Sequence, residues 1–216
     1  MTRRMVIVGN GPLAFDICER VDSADYVLRF NEPKASVGMS GVKTDLLLVN
    51  NSGKPMERRL RNPDYVRSPI VKAAREVAFA YHPDIIRSYL ISPTILSRLK
   101  GRRADWTFKA LEMFGRAGKE VRIMPPAFYT EGCDELGIPE TARRTVFPST
   151  GYLGIRYLLQ RTQQNDWSIE VCGFTWKGWK RHAWGDERAW IREKVAAGRI
   201  TMLAVPDDVS DTPEHI

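Results

Sequence analysis

The sequence predicts an α/β fold: a Rossmann-like, three-layer α/β/α arrangement around a mainly parallel central sheet. Three observations carry this expectation. Short apolar runs such as VIV at 6–8, LLLV at 46–49 and IEVC at 169–172 have the length of buried strands. Segments with helical spacing separate them, and glycine- or hydroxyl-rich turns follow several of the strands. At 216 residues the chain can bury one sizeable core, so residues 1–206 are read as one domain and 207–216 as a polar tail.

In chain order, MVIVGNG is a strand entering a glycine turn, and residues 12–21 suit a helix. DYVLRFN and TDLLLVN are strands, residues 54–65 a polar excursion, and PIVKAAREVAFAY an amphipathic helix or helix–strand junction. ADWTFKALEMFGRAGKEV places Trp106, Leu111 and Phe114 at helical spacing, and VRIMPP is the next strand. Prolines and glycines interrupt residues 126–143, which read as a loop. RTVFPSTGYLGIRYLLQRT is a strand, a hydroxyl-rich turn and a helix. WSIEVCGFTW is a strand, GDERAWIREKVAAG a helix that Gly198 ends, and RITMLAV the last strand.

Composition narrows the function classes. Lys and Arg number 33 against 26 Asp and Glu, a net charge of +7 that favours anionic partners without choosing among them. The basic residues are dispersed, as on an ordinary solvated surface, and no nucleic-acid motif is present. Peripheral membrane contact through that basic surface is compatible with the balance. The three cysteines, Cys18, Cys133 and Cys172, form neither a metal pattern nor a disulfide framework, which points to free thiols and a reducing, cytoplasmic setting. MTRRMVIVGNG enters the first strand directly and is too short in apolar residues for a leader or a membrane helix.

Four strand-end features bear on chemistry. Gly9, Gly11 and Ala14 match the spacing of a dinucleotide turn, and Glu32 ends the next strand where a ribose-binding acid would stand, so an NAD or FAD oxidoreductase is one reading. In PSTG, Ser149 or Thr150 would cap the following helix and Gly151 would let an anion approach its amides; an ordinary N-cap explains the same residues. Gly173 follows a buried strand in VCGF, where a turn glycine is the default. His182 is the histidine best placed near a strand end, and Glu187 follows it in the first turn of the next helix, where the dipole alone would favour a carboxylate.

Taken together and in order, these motifs resemble the sialylmotifs of glycosyltransferase family 29, the sialyltransferases. The large motif, V-G-N followed by I-D-x-x-D-x-V-x-R-x-N, is matched by VIVGNG and VDSADYVLRFN, with Asn10, Asp22, Asp25, Arg29 and Asn31. The small motif is matched by PSTGYLG and VCGF, and the very small motif, H-x4-E, by His182 and Glu187. The matched regions, 5–32, 148–174 and 182–187, are less than a third of the chain. Small bacterial chains of this type are also labelled urease-operon accessory proteins. Two departures stand out. The positions near Met5 and Asp166, where membrane-bound animal members carry bridging cysteines, are not cysteine. The third family motif, H-Y-x-[DE], has no counterpart between Gly173 and His182, where FTWKGWKR offers Lys177, Lys180 and Arg181 instead.

The resemblance implies a GT-A-variant fold and a metal-independent, inverting transfer of a nonulosonic acid from a CMP-sugar to a glycan hydroxyl. CMP-sugar is the donor substrate, and no separate cofactor is implied. His182 would be the general base, with Glu187 completing its motif. Gly9, Asn10, Gly11, Asn31, Ser149, Thr150, Gly151 and Gly173 would contact the nucleotide and its phosphate. The alternative within the same fold is a non-catalytic nucleotide- or sugar-binding relative.

Overall fold

The computed structural model describes residues 2–33, 37–90, 94–101, 103–163, 166–175 and 178–203. Seven strands, β1 (Arg3–Val8), β2 (Tyr26–Phe30), β3 (Leu46–Val49), β4 (Glu76–Phe79), β5 (Glu120–Ile123), β6 (Trp167–Cys172) and β7 (Thr201–Met202), form one sheet. Its order is β5-β4-β3-β2-β1-β6-β7, and every pairing is parallel. The helices are α1 (Cys18–Asp22), α2 (Gly53–Leu60), α3 (Pro69–Ala73), α4 (Pro83–Tyr89), α5 (Ile95–Leu99), α6 (Thr107–Arg116), α7 (Pro126–Glu135), α8 (Thr150–Arg161) and α9 (Trp184–Ala196).

Both faces of the sheet are covered, as its side-chain alternation requires. Met5, Ile7, Leu28, Phe30, Leu46 and Leu48 point to a core shared with α4, α7, α8 and α9, through residues such as Ile86, Tyr129, Leu153 and Trp190. Their sequence neighbours point the other way. Leu47, Val49, Val77 and Phe79 pack on α2, α3 and α6, and Val6, Val8 and Val27 pack on α1. The result is the expected three-layer α/β/α fold. Cys18, Cys133 and Cys172 are free thiols, and burial pushes Cys133 up to about 11 and Cys172 up to about 12.

Five local expectations change. Residues 126–143 are not an open loop but hold α7 and a 3-10 turn at Glu140–Ala142. Pro125 is the N-cap of α7 and Pro126 its first residue, so the proline pair starts the helix, where a missing N–H costs nothing. Gly132 inside α7 serves close packing, since a Cβ there would lie 2.6 Å from Leu153 Cδ2. Part of the polar excursion at 54–65 is α2, which turns Met56 and Arg59 inward. The helix over 12–21 shrinks to α1, starting only at Cys18. The strand before PSTG reduces to a single parallel bridge, Phe147 to His182. The last strand is the two-residue β7, and the tail at 207–216 lies outside the described residues.

The strand order reverses at β1 and β6, so the ends of these two strands form the switch point where α/β sheets commonly bind ligands. Here backbone closes it. Gly9 N–H donates to Cys172 O at 2.8 Å, and Gly11 N–H donates to Gly173 O at 2.8 Å. A Cβ on Gly9 would lie 2.2 Å from Gly173 O and 2.8 Å from Phe174, so the glycine is demanded by contact with backbone. Gly9→Ala is therefore expected to destabilise the fold by about 1–3 kcal/mol through overpacking. Gly115→Ala, on a helix where nothing lies within 4 Å, should instead stabilise by about 0.5–1 kcal/mol. Urea unfolding of both variants checks the contrast, and equal effects would remove the packing argument.

Candidate active site

A cleft of about 760 Å³ opens beside the switch point, over the carboxyl ends of β2, β3 and β4. Polar residues that directly follow apolar strands build its floor. Asn31, just past β2, has φ +52, a left-handed conformation that asparagine tolerates. Its Oδ1 accepts from Asn50 N–H at 2.9 Å, and its carbonyl accepts from Tyr65 Oη–H at 2.7 Å. Asn50, just past β3, accepts at Oδ1 from both the N–H and the hydroxyl of Ser52, each at 2.8 Å. Beneath them, fully buried Asn51 donates to Tyr81 O and to Thr107 Oγ1 and accepts from Tyr81 N–H. These bonds hold the β3–α2 turn rigidly over the sheet.

The PSTG turn forms the next wall. Ser149 caps α8, its Oγ accepting from Tyr152 N–H at 3.1 Å. Its hydroxyl donates to Glu187 Oε2 and its N–H donates to Glu187 Oε1, both at 2.6 Å. Glu187 is fully buried, and burial pushes its carboxyl up to about 7 against the lowering effect of these two donors. Thr150, the next residue, lines the cleft and hydrogen-bonds the buried Tyr81 phenol, which burial holds well above its usual value.

His182 stands on the third wall. Phe147 N–H donates to Arg181 O at 2.8 Å, and Ala183 N–H donates to Phe147 O at 3.2 Å, so residues 181–183 run alongside Phe147. The imidazole Nδ1 lies 3.1 Å from the same Phe147 carbonyl. A carbonyl can only accept, so Nδ1 carries the proton and Nε2 keeps the lone pair. Trp179 and Trp184 meet the ring edge-on, with centroids 5.2 and 4.9 Å away. Burial lowers the imidazole pKa below 6.5, and the Phe147 carbonyl opposes that shift. The ring is therefore neutral at pH 7, with a free basic nitrogen in a residue that lines the cleft.

Of the residues singled out in the sequence, Asn31, Thr150 and His182 come together in this cleft. Gly9, Asn10, Gly11, Ser149, Gly151, Gly173 and Glu187 do not line it. Asn10 donates to Phe30 O, and Gly151 packs under Phe174, 2.7 Å from where its Cβ would stand. The carboxylate of Glu187 is bound to Ser149 and not to His182. Asp22, Asp25 and Arg29 serve the scaffold. Asp22 accepts from the Val42 and Lys43 amides, Asp25 from the Arg4 amide, and fully buried Arg29 donates to Ser40 and to the carbonyls of Gly41 and Lys43. Burial lowers Arg29 to about 10. Of the three cations after Gly173, Arg181 lines the cleft, Lys180 is exposed, and Lys177 lies outside the described residues. Arg181 donates Nε–H to Thr145 O at 3.1 Å, donates also to Arg144 O, and lies 4.6 Å over the Phe147 ring.

Sequence reasoning missed Asn50, Ser52, Arg59 and Tyr81. The signal for the first two was present, polar residues immediately after the apolar run LLLV. Arg59 and Tyr81 carry no local mark, because only the fold brings them to the cleft.

The geometry for a dinucleotide is missing. The helix that should receive a pyrophosphate at the glycine turn begins only at Cys18, and Glu32 pairs with Arg58 at 2.8 Å.

Comparison with solved structures puts the fold in context. A mammalian sialyltransferase in complex with Gal-β-1-3GalNAc-ortho-nitrophenol superimposes with a TM-score of 0.54 at 18% identity, over 94% of this chain and 69% of the other. An α-2,3-sialyltransferase from Campylobacter jejuni in apo form gives 0.56 at 13% identity, over 96% and 76%. The Campylobacter jejuni sialyltransferase CstII, in complex with the substrate analogue cytidine-5'-monophosphate, gives 0.54 at 10% identity, over 96% and 81%. The fold is that of the sialyltransferases. A Rhizobium meliloti (strain 1021) protein named urease operon 23 kDa accessory protein is 29% identical over 220 residues, covering 98% of this chain and 97% of that one. No family model matches the chain. Among the described residues, no helix is long and apolar enough to cross a membrane.

The buried Glu187 yields a pH-dependent outcome. Its folded pKa near 7 lies above the ordinary 4.5, so the native state holds a proton that the unfolded chain releases. Stability from this group is complete below about pH 4.5 and is lost as pH rises toward about 7, by on the order of 2–3 kcal/mol. Glu187→Gln should lack that slope. Urea unfolding from pH 4 to 8 checks it, and parallel profiles for the two proteins would contradict the assignment.

Proposed function

We propose that this protein is a glycosyltransferase that moves a nonulosonic acid from a CMP-linked donor to a glycan hydroxyl by a single inverting displacement. The observation that carries the reading is His182, whose Nδ1–H is held by the Phe147 carbonyl in a cleft shared with Asn31 and Thr150. The shared fold and the ordered sialylmotifs support it. A hydroxyl is a weak nucleophile at neutral pH and needs a base with a free lone pair. The acceptor oxygen attacks the anomeric carbon while its proton passes to Nε2 of His182. The bond from that carbon to the phosphate oxygen breaks with its electron pair, and CMP leaves. Arg181, pinned by two backbone carbonyls, offsets the charge that develops on the leaving phosphate. Asn31 and Thr150 bind the nucleotide from inside the cleft. Gly9, Asn10, Gly11, Gly151 and Gly173 pack around the strand ends outside the cleft lining, and Ser149 fixes the turn. The proton balance needs no metal and no redox cofactor.

A non-catalytic binding relative is the second reading, favoured by the accessory name of the Rhizobium meliloti protein and the missing third motif. One set of measurements separates the two. CMP or CDP should raise the melting temperature more than UMP, NAD or FAD, and EDTA should leave the shift intact. His182→Ala should keep CMP binding while transfer and donor hydrolysis fall by about 10²–10⁴-fold. In the wild type, turnover should fall as pH drops through the His182 pKa, below 6.5. Stabilisation by NAD without response to cytidine nucleotides would overturn the reading. Nucleotide binding with no turnover in the wild type would favour the binding relative.

A further inference from the structure

One wall of the cleft is built for negative charge. Lys54, Arg59, Arg103 and Arg181 all line the cleft; Glu57, which also lines it, is paired with Arg61 at 2.6 Å, and Glu32, near enough to Arg59 to favour its charge, is paired with Arg58. Arg181 is taken up by the Arg144 and Thr145 carbonyls next to His182. The other three cations have no carboxylate partner among the described residues. Arg59 is the most unusual, at 4% exposed. Its guanidinium donates to Asn50 O at 3.0 Å and lies 5.9 Å over the Tyr65 ring, and its buried Nε has no partner. Burial disfavours this charge more than the nearby Glu32 favours it, so an anion in the cleft would offset its desolvation.

The backbone adds to this field. Gly53, Lys54 and Pro55, the first turn of α2, line the same wall. No side chain caps that helix and no acid stands in its first turn, because the Ser52 hydroxyl is spent on Asn50. The positive end of the helix dipole therefore faces the cleft beside Arg59.

Resting on the transferase reading, we infer that this wall, made of the first turn of α2 with Lys54, Arg59 and Arg103, is an acceptor subsite for a sugar-borne anion, a carboxylate or a phosphate. The donor brings its phosphate and the carboxylate of its sugar to the reacting carbon beside His182 and Arg181, and the α2 wall is left for a further anion. The acceptor is then an acidic glycan, such as one ending in a uronic acid or a phosphorylated sugar. Its charged group seats on the α2 wall and turns a hydroxyl toward His182.

The test is direct binding to the full-length chain, by titration calorimetry with and without saturating CMP. The probes are galacturonic acid, galactose 6-phosphate and galactose. Either acid should bind at least about tenfold more tightly than galactose, the worth of one charge-assisted hydrogen bond, and added salt should weaken it. Lys54→Ala and Arg103→Ala, both at exposed positions, should each cost about tenfold in acid affinity and leave CMP affinity unchanged. Arg59→Gln should cost at least as much, with folding checked by circular dichroism. Equal binding of the three sugars, no binding of any, or acid binding untouched in the variants would overturn the subsite. Displacement of the acids by CMP would move the anion to the phosphate side, and displacement by free N-acetylneuraminic acid would assign the wall to the donor carboxylate. Each of these also overturns the acceptor assignment. Discrimination for the acids in a protein that ignores CMP would keep the subsite and defeat the transferase reading alone.

Discussion

Glu187 joins the two halves of the site. Its carboxylate takes both the N–H and the hydroxyl of Ser149, so the first turn of α9 is locked to the cap of α8. Phe147 lies two residues before Ser149 and His182 five before Glu187, so the same clamp fixes the short Phe147–His182 bridge from both ends. The imidazole is thereby oriented by a carbonyl, with no carboxylate among the described residues bonded to it. A buried acid raised to about 7 is a costly way to join two helices. Its two short, charge-assisted donors offset part of that cost and hold the geometry to one arrangement.

The glycines at the sheet's switch point obey a different constraint. In a dinucleotide site they let a pyrophosphate approach a helix start. Here they let β1 and β6 end in mutual contact, with the Gly9 and Gly11 amides already bonded to carbonyls across the gap. Phe174 then covers Gly151 and meets Phe30 edge-on at 5.8 Å. Closing the crevice in this way moves the open space sideways, over β2 to β4, where asparagines and Tyr81 replace the glycine turn as lining. The same three-residue spacing thus supports two kinds of site, and the delayed start of α1 distinguishes them.

Much of the architecture was legible because the buried parallel strands are nearly all apolar and the period-2 alternation puts large side chains on both faces. The elements that escaped detection are those whose local signals conflict with their packing. Pro125 and Pro126 look like breakers and start α7; Gly132 looks like an interruption and admits Leu153. Half of the residues of α2 are charged, and only Met56 and Arg59 reveal its buried side. In the site, His182, Asn31 and Thr150 could be read from strand ends, whereas Arg59 and Tyr81 reach the cleft only through tertiary folding.

The motif residues themselves divide by physical role. Asp22 and Arg29 spend their hydrogen bonds on Ser40, Gly41, Val42 and Lys43 and stabilise the turn before β3, while Asp25 accepts from the Arg4 amide in β1. Asn31, two residues beyond Arg29, turns into the left-handed region and reaches the cleft. A sequence motif of this kind therefore records a folding requirement and a ligand requirement interleaved along one strand. A chain that lost its chemistry could keep the first set intact, because removing Arg29 or Asp22 would unmake the scaffold whatever the cleft binds. The features that a fold alone does not demand are the neutral, oriented imidazole of His182 and the cations that share its cleft. Burial opposes the charged forms of both His182 and Arg59, and both side chains lie in the same cleft. That shared location brings an oriented imidazole and a cluster of cations into one cleft, an arrangement that the packing of the scaffold does not require.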